Sequence, residues 1–113
     1  MSDLWRSAGP PDVTGVVRSA ERLADRLRLL GPRWAARNRS ADAAPAAAVR
    51  AALQGLEDST ARAEGRPAHQ VPDLGLHALP DQLIVLARDA AGTGGPATLA
   101  EADAILAGLR AAL

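Results

Sequence analysis

Residues 12–30, DVTGVVRSAERLADRLRLL, form the most regular amphipathic stretch of the chain and decide its fold. At about 100° per residue, the apolar side chains of this stretch fall on one side of a helix. We therefore predict a helix over residues 12–30. Gly31-Pro32 follows directly and is typical of a helix end, and a short helical turn is predicted at residues 33–38. The predicted core-facing residues are Val13, Val16, Val17, Ala20, Leu23, Ala24, Leu27 and Leu30.

Three further stretches have helical spacing, at residues 45–64, 80–91 and 98–113. Pro45 suits the first turn of its helix, and the spacing of Thr98 and Glu101 is typical of a capping box. No stretch alternates with a period of two, so no strand is predicted. Residues 65–78 contain two prolines and two glycines and are predicted to form a loop held to the core. The apolar residues expected to hold it are Val71, Leu74, Leu76 and Leu79.

These elements predict an all-α fold, a small antiparallel bundle of four helices. Residues 12–113 would form one helical domain, and residues 1–11 a flexible N-terminal tail closed by Gly9-Pro10-Pro11. The alternative is a core of three helices with an irregular second helix, because Gly55 lies inside that helix and lowers its stability.

The composition limits how much apolar surface one copy can bury. Among 113 residues there are 27 alanines but only 24 leucines, valines and isoleucines together, with no Phe or Tyr. Trp5 and Trp34 are the only aromatic side chains. Because alanine buries much less area than leucine, a core of this kind favours extra burial through self-association.

Charge and cysteine content narrow the class of protein. The net charge is zero, but residues 1–39 carry eight arginines against four acids, and residues 40–113 carry five against nine. All thirteen Lys or Arg residues are arginine, which either selection for the guanidinium group or GC-rich coding would explain.

Without cysteine there are no disulfides or thiolate metal sites. The sequence has no signal-peptide pattern and no apolar run of membrane-spanning length, so we predict a cytoplasmic protein without a membrane partner.

One candidate interaction surface is a stripe of arginines on the first helix. Arg18, Arg22 and Arg26 are spaced by four residues, and Trp34 follows. Such a stripe could bind nucleic acid or an anionic ligand. The competing interpretation is a solvated face whose arginines pair with acids of the other helices.

Other candidate contact residues are apolar and predicted to lie outside the core. Leu29 and Val85 fall on the polar sides of their helices, and with Trp34 they would form a contact surface if they are neighbours in space. The last helix has alanines opposite its leucines, which would allow close approach of a partner helix or simply favour helix formation. These alanines are Ala100, Ala104, Ala107 and Ala111.

No motif in the sequence predicts catalysis, metal binding or phosphate binding. His69, Asp73 and His77 have helical metal-ligand spacing, but Pro72 and Gly75 interrupt any helix that would align them. The glycines of residues 92–95 lack the preceding strand of a phosphate-binding loop. We therefore predict no catalytic residues, no metal site and no cofactor.

The sequence favours a non-enzymatic interaction or regulatory protein that acts through protein partners, with a homodimer expected. The alternative is a small regulator that binds nucleic acid or an anionic ligand through the arginine stripe. A metal-assisted enzyme using His69 and His77 is a distant third.

Overall fold

Four α-helices make up most of the part of the chain that the structure describes. The computed structural model describes residues 10–37 and 44–113, with the backbone alone at residues 31–37 and Ala44. The helices are α1 (Val13–Arg37), α2 (Ala44–Glu64), α3 (Leu79–Thr93) and α4 (Pro96–Ala112), and a 3₁₀ turn at Leu76–Ala78 precedes α3. No strand occurs within the described ranges. The prediction of a small all-α bundle is confirmed. Residues 1–9 of the predicted tail lie outside the described residues.

Helices α1 and α3 run antiparallel and form the largest helix–helix contact. Two ion pairs between them show their relative direction. Arg28 lies 2.7 Å from Asp81 at one end, and Glu21 lies 3.8 Å from Arg88 at the other. Since the numbers rise along one helix as they fall along the other, the helices point in opposite directions.

Helix α2 packs against α3 and α4. It runs antiparallel to α4, since residue numbers fall along α2 as they rise along α4 in two contacts. Arg62 pairs with Glu101. Gly55 lies against Ile105, whose Cδ1 would be 3.2 Å from a Cβ at residue 55. The absence of a side chain at Gly55 therefore lets α4 approach closely, which explains a glycine inside this helix.

The core is built from a few leucines and valines with alanines between them. Small side chains let helix backbones approach, and the larger ones fill the space between layers. None of the four described helices has the length and apolarity needed to span a membrane. The buried cluster is Val16, Ala20, Leu23, Leu27, Ala46, Val49, Ala52, Leu53, Leu56, Leu79, Leu83, Ala87, Ala90, Ala91, Ala102, Leu106 and Leu109.

The predicted helix end at Gly31-Pro32 is wrong, because α1 continues without interruption to Arg37. A proline inside a helix removes one backbone hydrogen bond, and residues on both sides can still keep helical geometry. The turn predicted at residues 33–38 is the last part of α1, and Asn38 lies outside the described residues. Val13, placed in the core by its spacing, is 48% exposed, since helical side chains lean towards the N-terminus and Val13 begins the helix.

The predicted capping box at Thr98 is also wrong. Helix α4 begins two residues earlier, at Pro96, with Gly95 as its N-cap and no side-chain capping bond. Proline is favoured at the first helical position because its φ is already helical and its missing N–H is not needed there. Gly92 and Thr93 belong to α3, so only Gly94 and Gly95 separate the two helices.

Two neighbouring glycines should respond to alanine with opposite signs. A Cβ at Gly94 would overlap the Thr98 side chain, whereas a Cβ at Gly92 would meet nothing within 4 Å. We expect Gly94→Ala to lower the free energy of unfolding by at least about 1 kcal/mol, since the connection must shift. Gly92→Ala, inside α3, should raise it by about 0.5–1 kcal/mol. Urea unfolding of both variants checks this, and equal effects would contradict the proposed close approach.

Candidate functional site

The segment between α2 and α3 is fixed to the bundle by a tight helix end. Gly65 has a φ of +68°, a left-handed conformation that favours glycine. The Arg66 N–H then donates to the carbonyl oxygen of Ala61 at 3.0 Å, as in a Schellman motif. This turn reverses the chain and places the Arg66 side chain back along α2.

Glu57 is the central polar anchor of this segment. It is only 7% exposed and accepts two hydrogen bonds from the Arg66 guanidinium, at 2.8 and 3.1 Å. It also accepts the His69 backbone N–H at 2.7 Å. The Arg66 hydrogen bonds, followed by the one from His69, lower the pKa of Glu57 from 4.5 to about 2. Glu57 is therefore a charged acceptor at neutral pH.

Two glutamines continue the attachment. Gln54 donates to the carbonyl oxygen of His69 and accepts the Val71 N–H, both at 2.9 Å. Gln82 on α3 donates to the carbonyl oxygen of Pro72 at 3.0 Å. Because side chains satisfy the backbone of this long loop on two sides, the loop has a defined position although its regular structure is limited to the 3₁₀ turn at Leu76–Ala78.

The roles of Glu57, Gln54 and Gln82 were not predicted from the sequence. Apolar residues were expected to hold the loop, and this is correct for Val71 and Leu76, which pack on the core, and for Leu79, which is buried in it. A signal for Glu57 was present, because it lies four residues after Leu53 and three before Thr60, on the buried side of α2. A carboxylate in that position needs a partner.

The attached loop and α3 together form an open apolar groove of about 510 Å³, here called the Val85 groove. Leu74 and Val85 are 56% and 55% exposed, so Leu74 does not join the core as predicted. Two carboxylates, Glu57 and Asp81, also line the groove, and no arginine does among the described residues. Its apolar lining consists of Val71, Pro72, Leu74, Ala78, Val85 and Leu86.

Leu29 and Val85 are both exposed, as their positions on the helices predicted, but only Val85 lines the groove. Leu29, at 86% exposure, is not part of the Val85 groove. It lies on the outer face of α1 with Arg18 and Asp25, which are also exposed. The side chain of Trp34 is outside the described part of the chain.

Two of the three arginines of the stripe share a cleft with α4. Arg22 and Arg26 line a small cleft of about 150 Å³ together with Arg110 of α4, here called the arginine cleft, which also includes Ser19 and Leu23. Arg18 does not line it.

The alanines opposite the α4 leucines are outside the core: Ala100, Ala104 and Ala111 are exposed and Ala107 is half-buried.

The two histidines have separate surroundings. His69 is exposed and held through its backbone, while His77 lies in the 3₁₀ turn. Asp73 accepts the Gly75 N–H at 3.0 Å and lies 3.6 Å from Arg50. Within the described residues, no group of three or more metal-ligating side chains is close enough to hold an ion.

Comparison of the chain with protein-family models, with curated proteins and with solved structures finds no match.

Proposed function

We propose that this chain is a non-enzymatic interaction domain that self-associates through the Val85 groove. The observation that supports this most strongly is the exposure of two large aliphatic side chains, Leu74 and Val85, in one concave surface. Covering apolar surface contributes about 25 cal/mol per Å², and exposed apolar patches of this kind are typical of interaction sites.

The proposed occupant is the outer face of α1 from a second copy. Leu29 is the most exposed large aliphatic side chain of the described residues, and its chemistry matches the apolar lining of the groove. Arg18 lies on the same face of α1, about three turns from Leu29. The groove carboxylates of Glu57 and Asp81 are already paired with Arg66 and Arg28, so apolar contact is what favours this occupant. The opposite charges of the N-terminal and C-terminal parts of the chain support the same pairing.

A reciprocal contact would close the assembly as a dimer. Each copy would place its Leu29 in the Val85 groove of the other, around a two-fold axis, which leaves no groove open for further growth. This agrees with the modest core of a single copy, because the dimer adds burial that the alanine-rich interior lacks.

Sedimentation equilibrium over a hundredfold concentration range tests the proposal. We expect a monomer–dimer equilibrium. Leu29→Glu and Val85→Arg should each weaken it at least about tenfold, because each would bury a charged group against the apolar side chains opposite. A monomer at every concentration would contradict the proposal.

Mixing the two variant proteins provides a matched control. In the L29E–V85R heterodimer, one contact pairs the opposite charges and the other is wild type, so association should recover relative to either variant alone. Ala104→Glu, on the exposed side of α4, should leave the dimer unchanged. If Ala104→Glu dissociates it while the other two variants do not, the interface is α4 and the groove assignment is wrong.

A further inference from the structure

The geometry points to the arginine cleft between α1 and α4 as a binding site for a phosphoryl group. Three arginines from two helices, Arg22, Arg26 and Arg110, line one concave surface. This inference does not require self-association, and the cleft shares no residue with the Val85 groove.

Most of the other described arginines pair with a carboxylate, whereas the three of the cleft do not. Arg28 pairs with Asp81, Arg62 with Glu101 and Arg66 with Glu57. Arg50 and Arg88 also have carboxylates within 4 Å. Among arginines whose side chains are described, those without such a partner are Arg18 and the three of the cleft.

Like charges brought together without acids repel one another, and an anion between them removes that repulsion. Guanidinium groups present planar pairs of N–H donors that match the oxygens of a phosphoryl group. The Ser19 hydroxyl at the cleft can add one more hydrogen bond. The donor set is therefore suited to an oxyanion with several acceptor oxygens.

The size of the cleft indicates a small group. Its volume of about 150 Å³ corresponds to about five water molecules at roughly 30 Å³ each. A single phosphoryl group has five heavy atoms and fits this space, with the remainder of any organic ligand projecting into solvent. Because the arginines are exposed, binding should weaken with added salt.

Titration of the ¹⁵N-labelled protein with inorganic phosphate tests the site, with sodium chloride used to hold the ionic strength constant. We expect saturable shifts of the Arg22, Arg26 and Arg110 side-chain resonances, with a Kd of about 1 mM or tighter. Arg22→Gln and Arg110→Gln should each raise the Kd at least about fivefold. Glycerol 3-phosphate in a parallel titration distinguishes the free ion from an organic monoester, and tighter binding of either supports a phosphoryl site.

Arg18→Gln is the matched control, since Arg18 is an exposed, unpaired arginine of the same helix outside the cleft. It should leave the Kd within about twofold, because long-range charge effects are screened in salt. An equal loss in Arg18→Gln would mean diffuse attraction and overturn the proposal. So would the absence of saturable phosphate shifts, or binding to single-stranded DNA by a protein that does not bind phosphate or the monoester. Circular dichroism confirms that each variant is folded.

Discussion

Replacing Leu56 by alanine is expected to lower the free energy of unfolding by about 3–5 kcal/mol. Leu56 is fully buried in α2, which contacts both α3 and α4. Its removal leaves a cavity among helices that already approach closely through alanines, so neighbours cannot collapse into the space. Because small domains have only about 5–15 kcal/mol of stability, this single change should remove much of it.

The measurement is urea unfolding followed by circular dichroism, with Leu29→Ala as the matched control. Leu29 is 86% exposed, so the same chemical change should alter the stability by no more than about 0.5 kcal/mol. Curves taken at two protein concentrations separate any contribution from self-association. Similar losses for the two variants would show that α2 is not packed in the core.

Replacing Glu57 by glutamine is expected to lower stability by up to about 3 kcal/mol at pH 7, because each pKa unit corresponds to about 1.4 kcal/mol. The pKa of Glu57 is lowered to about 2 in the folded state. Its contribution is therefore complete above the ordinary pKa near 4.5 and is lost as pH falls from there towards 2. The difference between wild type and E57Q should shrink over the same range.

Glu64→Gln is the control for this prediction, since Glu64 also pairs with Arg66, at 2.8 Å, but is exposed. A surface pair contributes about 0–1 kcal/mol, so its effect should be small. In E57Q, amide exchange at His69 should also accelerate, because its N–H loses a charged acceptor. A pH-independent loss in E57Q would show that packing, not charge, explains the role of Glu57.

The class of fold could be predicted from the sequence because helical periodicity is local. The spacing of Val16, Leu23 and Leu27 identified α1, and the same rule located the other three helices to within two residues at most ends. The end of α1 was predicted less well, at Leu30 instead of Arg37. Gly31-Pro32 is typical of a helix end and Thr98 of a helix N-cap. These are local preferences, and the helix-forming residues on both sides of each position outweigh them.

The candidate sites depended on tertiary structure. By sequence alone, Leu29 and Val85 were determined to be exposed, because a residue's side of a helix follows from its number. The packing of helices distant in the chain was required to place Val85 but not Leu29 in the groove, to bring Arg110 to Arg22, and to attach the loop through Glu57. Such contacts join residues that no periodic pattern connects, so only the folded chain decides them.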